Sequence, residues 1–525
     1  MDDNFEKRIL LAAVLTFVVL LGYQFFFAPP PPPPAKKPAQ IPDVVKEIPR
    51  KATDLFPAEE PALSVPEGAE GSEERLINVE TPLYSAVFSS RGGTIKKWRL
   101  KKYRDDAGLE VILMRPGAKV PALALGTDGE SFALDEVNFA VTGVDGDIVL
   151  KNEGDQAVIT FLYRGGGLSI KRTYTISADN YDIKLVEEVE GTDDYWLTLG
   201  SGFGISGAEG YGGHIGPVIL KDADRVEIKP KKLKEPRVFG PELKWIAQED
   251  KYFFASIVPL GKAAGAKVWR SSSGEVLVAV NLPAGRNELL LYAGPKEHDR
   301  LKGFGVGLEY IVDFGFFSIL ARPLFWILKL FYKVIGNYGW SIALLTILVR
   351  IPFIPLINKG QRSMKKLQAL QPRMNEIRQK YKKDPQKMQR EMMELYRKYK
   401  VNPMSGCLPM LIQIPVFFAL YKVLLVAIEL RRAPFIFWIQ DLSEKDPYYI
   451  LPIIMGVTMF IQQRMTPTTM ESQQQKIMNF LPLVFTFLFL NFPSGLVLYW
   501  LVSNLLSILQ QYFVNRKVAR EGEAA

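Results

Sequence analysis

One arginine is placed where charge is costly. Arg350 lies within residues 341–357, an otherwise apolar run, with Thr346 about one turn before it and Pro352 and Pro355 just beyond. A guanidinium at the centre of a membrane helix costs on the order of 2.5–3.5 kcal/mol on insertion scales. Such a residue faces a partner or a watery cavity, or it snorkels to the nearer membrane surface, which the end of the run at Ile357 makes possible. The other long apolar runs contain no Asp or Glu to pair with it, only Gln413, Thr458, Thr486, Tyr499, Ser503 and Asn504. Singly, each of these is ordinary interhelical glue. Together with an arginine they predict a hydrated, electropositive cavity whose counter-ion is supplied from outside the protein.

Bond-making chemistry has little raw material. The single cysteine, Cys407, and the two histidines, His214 and His298, exclude a disulfide framework and a Cys-based zinc cluster. Residues 202–207 spell G-x-G-x-x-G, but Ala-Glu-Gly-Tyr-Gly-Gly follows. A dinucleotide fingerprint needs a helix N-terminus there, so a glycine-rich loop at a sheet rim is expected. No acid pair, Ser-Lys dyad or phosphate loop is recognisable by spacing. We expect no enzymatic activity, no cofactor and no metal.

The apolar runs must position Arg350. Residues 9–27 carry no charge over about 19 positions and enter Pro29–Pro34 directly. That length crosses a ~30 Å hydrocarbon core, and the run lacks the small-residue cleavage site of a signal peptide. Further spans are expected at residues 338–357, 408–428, 449–462, 477–491 and 495–513. Residues 313–335 mix Arg322, Lys329 and Lys333 with Phe, Leu and Trp, as in a helix lying in the membrane interface. Residues 359–400 hold fourteen Lys or Arg against four Asp or Glu, which places this loop in the cytoplasm by the positive-inside rule. Both termini are then inside, and the region between the first span and the interfacial helix is outside.

That outside region alternates apolar and polar residues, as in 169–176, 181–186 and 275–280, with Gly, Asn and Asp between. Short strands broken by turns predict a large antiparallel β-sandwich. The basic loop has a different architecture. Asp384-Pro385 is an N-cap followed by proline at the first helical position, so helices near 373–381 and 385–399 form a hairpin. Twelve of the fourteen methionines fall between Met364 and Met478. Of these, Met374, Met388, Met392 and Met393 could grip unlike apolar segments, or simply pack the two helices together. The basic face suits anionic lipid or ribosomal RNA.

Three segments, 361–372, 401–421 and 492–500, resemble the YidC/Oxa membrane protein insertases, a likeness that covers about residues 305–513. The anchor, linker and exported β-domain further resemble the Gram-negative form of that family. The resemblance implies a polytopic α-helical bundle, an N-terminal anchor plus a five-helix core, with a hydrophilic groove open to the cytoplasm and to lipid. In that groove it places Arg350, Thr346, Gln413, Tyr499, Trp500 and Ser503. Trp500 stands where relatives often carry tyrosine, so its expected contact is apolar. The implied partners are nascent membrane proteins, the Sec translocon, the ribosome and anionic lipids, around a monomer in the bacterial inner membrane that also assists folding. The expected divisions are an anchor (1–28), a Pro-rich linker (29–74), a β-domain (75–304), an interfacial helix (305–336), a second span (337–357), the hairpin (358–404), four further spans (405–514) and a tail (515–525). The residues alone leave two other readings open. One is a solute transporter with Arg350 as its anion site, and the other is a β-domain that binds or processes carbohydrate while the bundle anchors it.

Overall fold

The computed structural model describes residues 73–129, 132–207, 213–399, 401, 408–466 and 472–523. The expected anchor, nearly all of the linker, and Cys407 lie outside these residues.

The alternating segments form two facing sheets. The smaller has five strands in the order Glu110–Met114, Thr94–Arg104, Tyr84–Ser89, Leu76–Glu80 and Ile148–Val149, and only the last pair is parallel. The larger has twelve strands built around the long antiparallel pair Asp182–Thr198 and Val276–Pro295. In Leu168–Ser177 every second residue from Ile170 to Ile176 is buried, the period that a sheet with one covered face demands. Aromatic rings fill the space between the layers, with Phe88 meeting Tyr174 edge-on at 5.2 Å and Tyr84 lying 6.4 Å from Tyr181.

A buried ion pair joins the layers. Arg172 and Glu187, both wholly inaccessible, meet at 2.8 Å on neighbouring strands of the larger sheet. The Arg172 guanidinium also donates to the carbonyls of Gly92 (2.7 Å) and Leu123 (2.8 Å), while Glu187 accepts from the Tyr195 hydroxyl (3.0 Å). Gly92 lies in the turn between two strands of the smaller sheet, so this arginine ties the sheets together. The glycine-rich segment is a loop, as expected. Gly202, Gly204 and Gly207 all have positive φ, and a Cβ on Gly204 would come within 2.1 Å of the Ala255 amide nitrogen. Only glycine allows that approach.

Helices follow the sheets: α1 (His298–Gly303), α2 (Ser318–Ile335), α3 (Tyr338–Arg350), α4 (Ile354–Ala369), α5 (Gln371–Lys380), α6 (Pro385–Lys398), α7 (Leu408–Val426), α8 (Ile450–Met465), α9 (Ser472–Phe489) and α10 (Ser494–Glu523). α2 buries Ala321, Leu324, Phe325 and Leu328 on one stripe and leaves Phe316, just before it, and Ile319 and Val334 more than four-fifths exposed. It stops at Gly336 in the left-handed conformation, and the Asn337 side chain accepts from the Trp340 amide to start α3. A single 3₁₀ turn, Ile351–Phe353, joins α3 to α4, so Tyr338–Ala369 is nearly one 32-residue helix. The expected span to 357 therefore does not end there. Pro352 and Pro355 fall in the first positions of their turns, where a missing N–H costs little.

α5 and α6 make the hairpin, and Asp384 caps α6 by accepting from the Lys387 amide at 3.0 Å. Its core is Leu367, Leu370, Met374 and Val401, against which Met364 and Met392 pack. Met374 is buried and is not available to an incoming segment, whereas Met388 and Met393 are partly exposed.

Charged contacts join the β-domain to the bundle. Asp299 of α1 pairs with Lys329 of α2 (2.5 Å), and Asp313 pairs with Lys422 of α7 (3.2 Å). In the loop after α7, Arg431 and Arg432 donate to the backbone carbonyls of Arg104 and Asp105. Lys251 lies beside this loop with its ammonium buried, 4.7 Å from the Tyr252 ring and without a hydrogen-bond partner. Burial outweighs the attraction of Glu444 and Asp441 and brings its pKa down to about 8.

Removing one member of the Arg172–Glu187 pair strands a buried charge, which costs about 3–5 kcal/mol. Arg172→Met should lower the unfolding transition of the β-domain accordingly, and Arg172→Met/Glu187→Leu should cost less than the two single changes summed. For Lys251 the folded pKa lies below the ordinary 10.5. The charged form is therefore disfavoured by folding, a penalty present in full below about pH 8 and lost as pH rises toward 10.5. Lys251→Met should stabilise the domain at pH 7 by up to about 3 kcal/mol. That gain should shrink in thermal melts between pH 8 and 10.5, and a gain that does not change with pH would contradict the assignment.

Candidate functional site

Arg350 ends α3 and points at α10. One η nitrogen donates to the Ser503 carbonyl at 2.8 Å and the other to the Ser507 hydroxyl at 2.7 Å, with the Gln510 side-chain oxygen 3.4 Å away. Gln510 in turn donates to the Asn358 side chain at 2.8 Å, which links α10 to α4. Ser503, Ser507 and Gln510 are spaced four and three apart, so they share one helix face. Every group that holds the guanidinium is neutral. Among the described residues no carboxylate forms an ion pair with it.

A cavity of about 40 Å³ lies on one side of Arg350, lined by Thr346, Gln413, Tyr499 and Ser503 together with Val349, Phe353, Ile357 and Val416. That is room for about one or two waters. The Gln413 amide of α7 donates to the Ser503 hydroxyl at 2.9 Å, so three helices meet here through hydrogen bonds. Thr346 donates to the Ile342 carbonyl of its own helix at 2.7 Å. It therefore borders the cavity without binding the arginine. Tyr499 is buried.

Five of the six residues expected in the groove thus converge. Trp500 does not. It turns to the neighbouring face of α10, into a cluster with Phe417 (4.9 Å), Phe489 (5.0 Å) and Phe485 (5.6 Å). Its surroundings are apolar, and it is not among the cavity's lining residues. Ser507, Gln510 and Asn358 were missed by sequence reasoning. The four-three spacing of Ser503, Ser507 and Gln510 along an apolar helix was the signal that could have revealed the first two. Lys422 was missed as well, and it lies in the apolar helix α7 with a carboxylate partner, Asp313, from the connection before α2.

Thr458 and Asn504, expected to be polar groups of the bundle, bond to each other to one side of the arginine-binding face of α10. The Asn504 amide lies 3.3 Å from the Thr458 hydroxyl and 3.5 Å from the Met455 carbonyl. Thr486 sits against Gly456, where a Cβ would come within 1.9 Å of its hydroxyl oxygen. This tight crossing of α8 and α9 leaves the arginine cavity to α3, α4, α7 and α10. No cluster of His, Cys, Asp or Glu suited to a metal ion occurs among the described residues.

The chain is similar to known proteins over nearly its whole length. Residues 330–521 match the family described as 60Kd inner membrane protein, and residues 76–327 match the YidC periplasmic domain. The Membrane protein insertase YidC of Syntrophus aciditrophicus is 42% identical over 98% of this chain and 100% of its own. That of Geobacter metallireducens is 40% identical over 98% and 99%. A solved structure described as active YidC insertase with the first transmembrane domain resolved is 20% identical, covers 86% of this chain and 95% of its own, and has a TM-score of 0.39. Near full-length identity at this level, together with two matched regions that between them span the β-domain and the bundle, establishes that the chain belongs to the YidC family of inner-membrane protein insertases.

Proposed function

We propose that Arg350 is the electrostatic station through which this insertase passes the polar flank of an incoming segment. The observation that carries the reading is the set of partners around the guanidinium. Its positive charge is held in place by a carbonyl, a hydroxyl and an amide, which orient it but leave its charge without a counter-ion among the described residues. An acidic residue entering the cavity would supply that counter-ion in a setting of low dielectric, where the attraction is stronger than in water.

The route begins at the basic hairpin on the cytoplasmic side, where Met388, Met392 and Met393 offer a polarizable surface and the positive face suits ribosomal RNA and anionic lipid headgroups. Both termini lie on that side, and the β-domain and residues 431–447 lie on the other. The polar flank moves past Gln413, Ser503 and Arg350 while the apolar helix leaves sideways into lipid, and its partitioning drives transfer. An interior-negative potential assists outward movement of an acidic residue by about 2.3 kcal/mol per charge per 100 mV. The cavity draws on α3, α4, α7 and α10 of one chain, which favours a monomer as the working unit, with the Sec translocon as a neighbour for longer clients.

The cavity holds only a water or two, so α3, α4, α7 and α10 must part to admit a peptide. Insertion of a single-span substrate with an acidic flank should fall about tenfold or more in Arg350→Glu, the rate equivalent of about 1.4 kcal/mol. Arg350→Lys should retain more activity than Arg350→Ala, and a substrate with a neutral flank should respond weakly to all three changes. Normal insertion of the acidic-flank substrate by Arg350→Glu, measured by protease protection, would rule the charge out.

A further inference from the structure

A second and larger cavity opens on the other side of Arg350. It is a cleft of about 400 Å³ between the α3–α4 helix and α10. Its polar lining consists of Arg350, Asn358, Gln510 and Arg362, and the rest is aliphatic or aromatic, including Leu509 and Phe513, which are both more than half exposed. Among the described residues no carboxylate lines it. Arg350, Asn358 and Gln510 are bonded to one another or to α10. Arg362 is exposed and makes no hydrogen bond or ion pair with any described residue.

The depth of Arg362 decides what it could meet. Twelve residues separate it from Arg350 along a nearly continuous helix, about 18 Å at ~1.5 Å per residue. The half-thickness of a hydrocarbon core is about 15 Å. With Arg350 near the middle of the membrane, Arg362 reaches headgroup level on the hairpin side, and the apolar part of the cleft lies beneath it in the acyl region. A cleft with a free cation at one end and an apolar floor matches an amphiphile with an anionic head. The absence of carboxylates disfavours headgroups that also carry an amine.

The cleft's size separates lipid from client. Its lining runs from Ile347 to Arg362 along the α3–α4 helix, about 22 Å at ~1.5 Å per residue, whereas a crossing segment needs about 20 residues, roughly 30 Å of helix. An acyl chain lies along such a slot without spanning it.

We propose that this cleft is a binding site for one anionic phospholipid, its phosphate on Arg362 and an acyl chain over Leu509 and Phe513. The lipid sits behind Arg350, opposite the 40 Å³ cavity, and its charge bears on the field that a client meets. The site rests on the orientation proposed above, with the hairpin in the cytoplasm. Binding is read separately from insertion, so either reading can fail alone.

The test is native mass spectrometry of the full-length protein in a non-ionic detergent, titrated with phosphatidylglycerol, phosphatidylcholine or glycerol phosphate. One phosphatidylglycerol should bind in preference to phosphatidylcholine, and glycerol phosphate, which has the head without the chains, should not displace it. Arg362→Gln should weaken phosphatidylglycerol about fivefold, as expected for one cation near a membrane surface. Leu509→Trp, which fills the floor of the cleft, should remove the preference, and Lys382→Gln/Lys383→Gln in the hairpin should leave it unchanged. Equal binding of the two lipids would overturn the proposal. So would loss of binding only in the hairpin variant, which would assign the lipid to the basic surface. Crosslinking of a stalled client segment at position 509, undiminished by saturating phosphatidylglycerol, would make the cleft a client surface and would also overturn it.

Discussion

A positive charge inside an apolar bundle must be solvated by the protein, and here α10 does it. Arg350 could not remain at the end of α3 without acceptors, and Ser503, Ser507 and Gln510 supply them from one face of a single helix. The same contacts lock α10 against α3 and α4 through Asn358, and against α7 through Gln413. A neighbouring face of α10, about 100° round from Ser503, reaches α8 through Asn504 and Thr458. The polar interior of this bundle is therefore organised by one helix, and its geometry follows from the need to satisfy one guanidinium.

The β-domain solves the same problem in a different way. Arg172 is fully buried where Arg350 is half-buried, and it has Glu187 at 2.8 Å and two backbone carbonyls. Its charge is cancelled, so it serves as a fixed staple between two sheets. Arg350 has oriented dipoles and, among the described residues, no opposite charge. Chemically identical side chains thus form a neutralised joint in one domain and an uncompensated charge in the other. The difference lies in whether the protein supplies the counter-ion.

The walls of the arginine cavity are joined by hydrogen bonds. Those from the charged Arg350 guanidinium are worth about 1.5–3 kcal/mol each net and the neutral Gln413–Ser503 bond about 0.5–1.5 kcal/mol, with no salt bridge among them in the described residues. The helices that form it carry weak points. The 3₁₀ turn at Ile351–Phe353 interrupts the first, and Pro415 lies inside α7. The contacts outside the bundle are ionic instead, Asp299 with Lys329 and Asp313 with Lys422. The first holds α1, at the end of the β-domain, to α2, and the second holds the connection before α2 to α7.

Much of this was written into local pattern. Alternation of apolar residues with period two gives the strands of the sandwich, because a sheet with one covered face must bury every second side chain. Long runs that are apolar but for Arg350 and Lys422 give the helices of the bundle, and Asp384-Pro385 starts α6 by capping chemistry that needs no distant partner. The cost of Arg350 was legible for the same reason, since burying a charge is a local expense set by its own neighbours. Which groups offset that cost was not legible. Ser507 and Gln510 lie more than 150 positions away, and only the packing of α10 on α3 brings them to the guanidinium. Trp500 and Tyr499 are adjacent in sequence but point to different faces, so one is buried beside the cavity and the other joins Phe417 and Phe489. Met374 could be read as a gripping surface until packing buried it in the hairpin. Sequence determined which side chains require partners, because that depends on their chemistry alone. The tertiary structure decided who the partners are, because that depends on distances between segments remote in the chain.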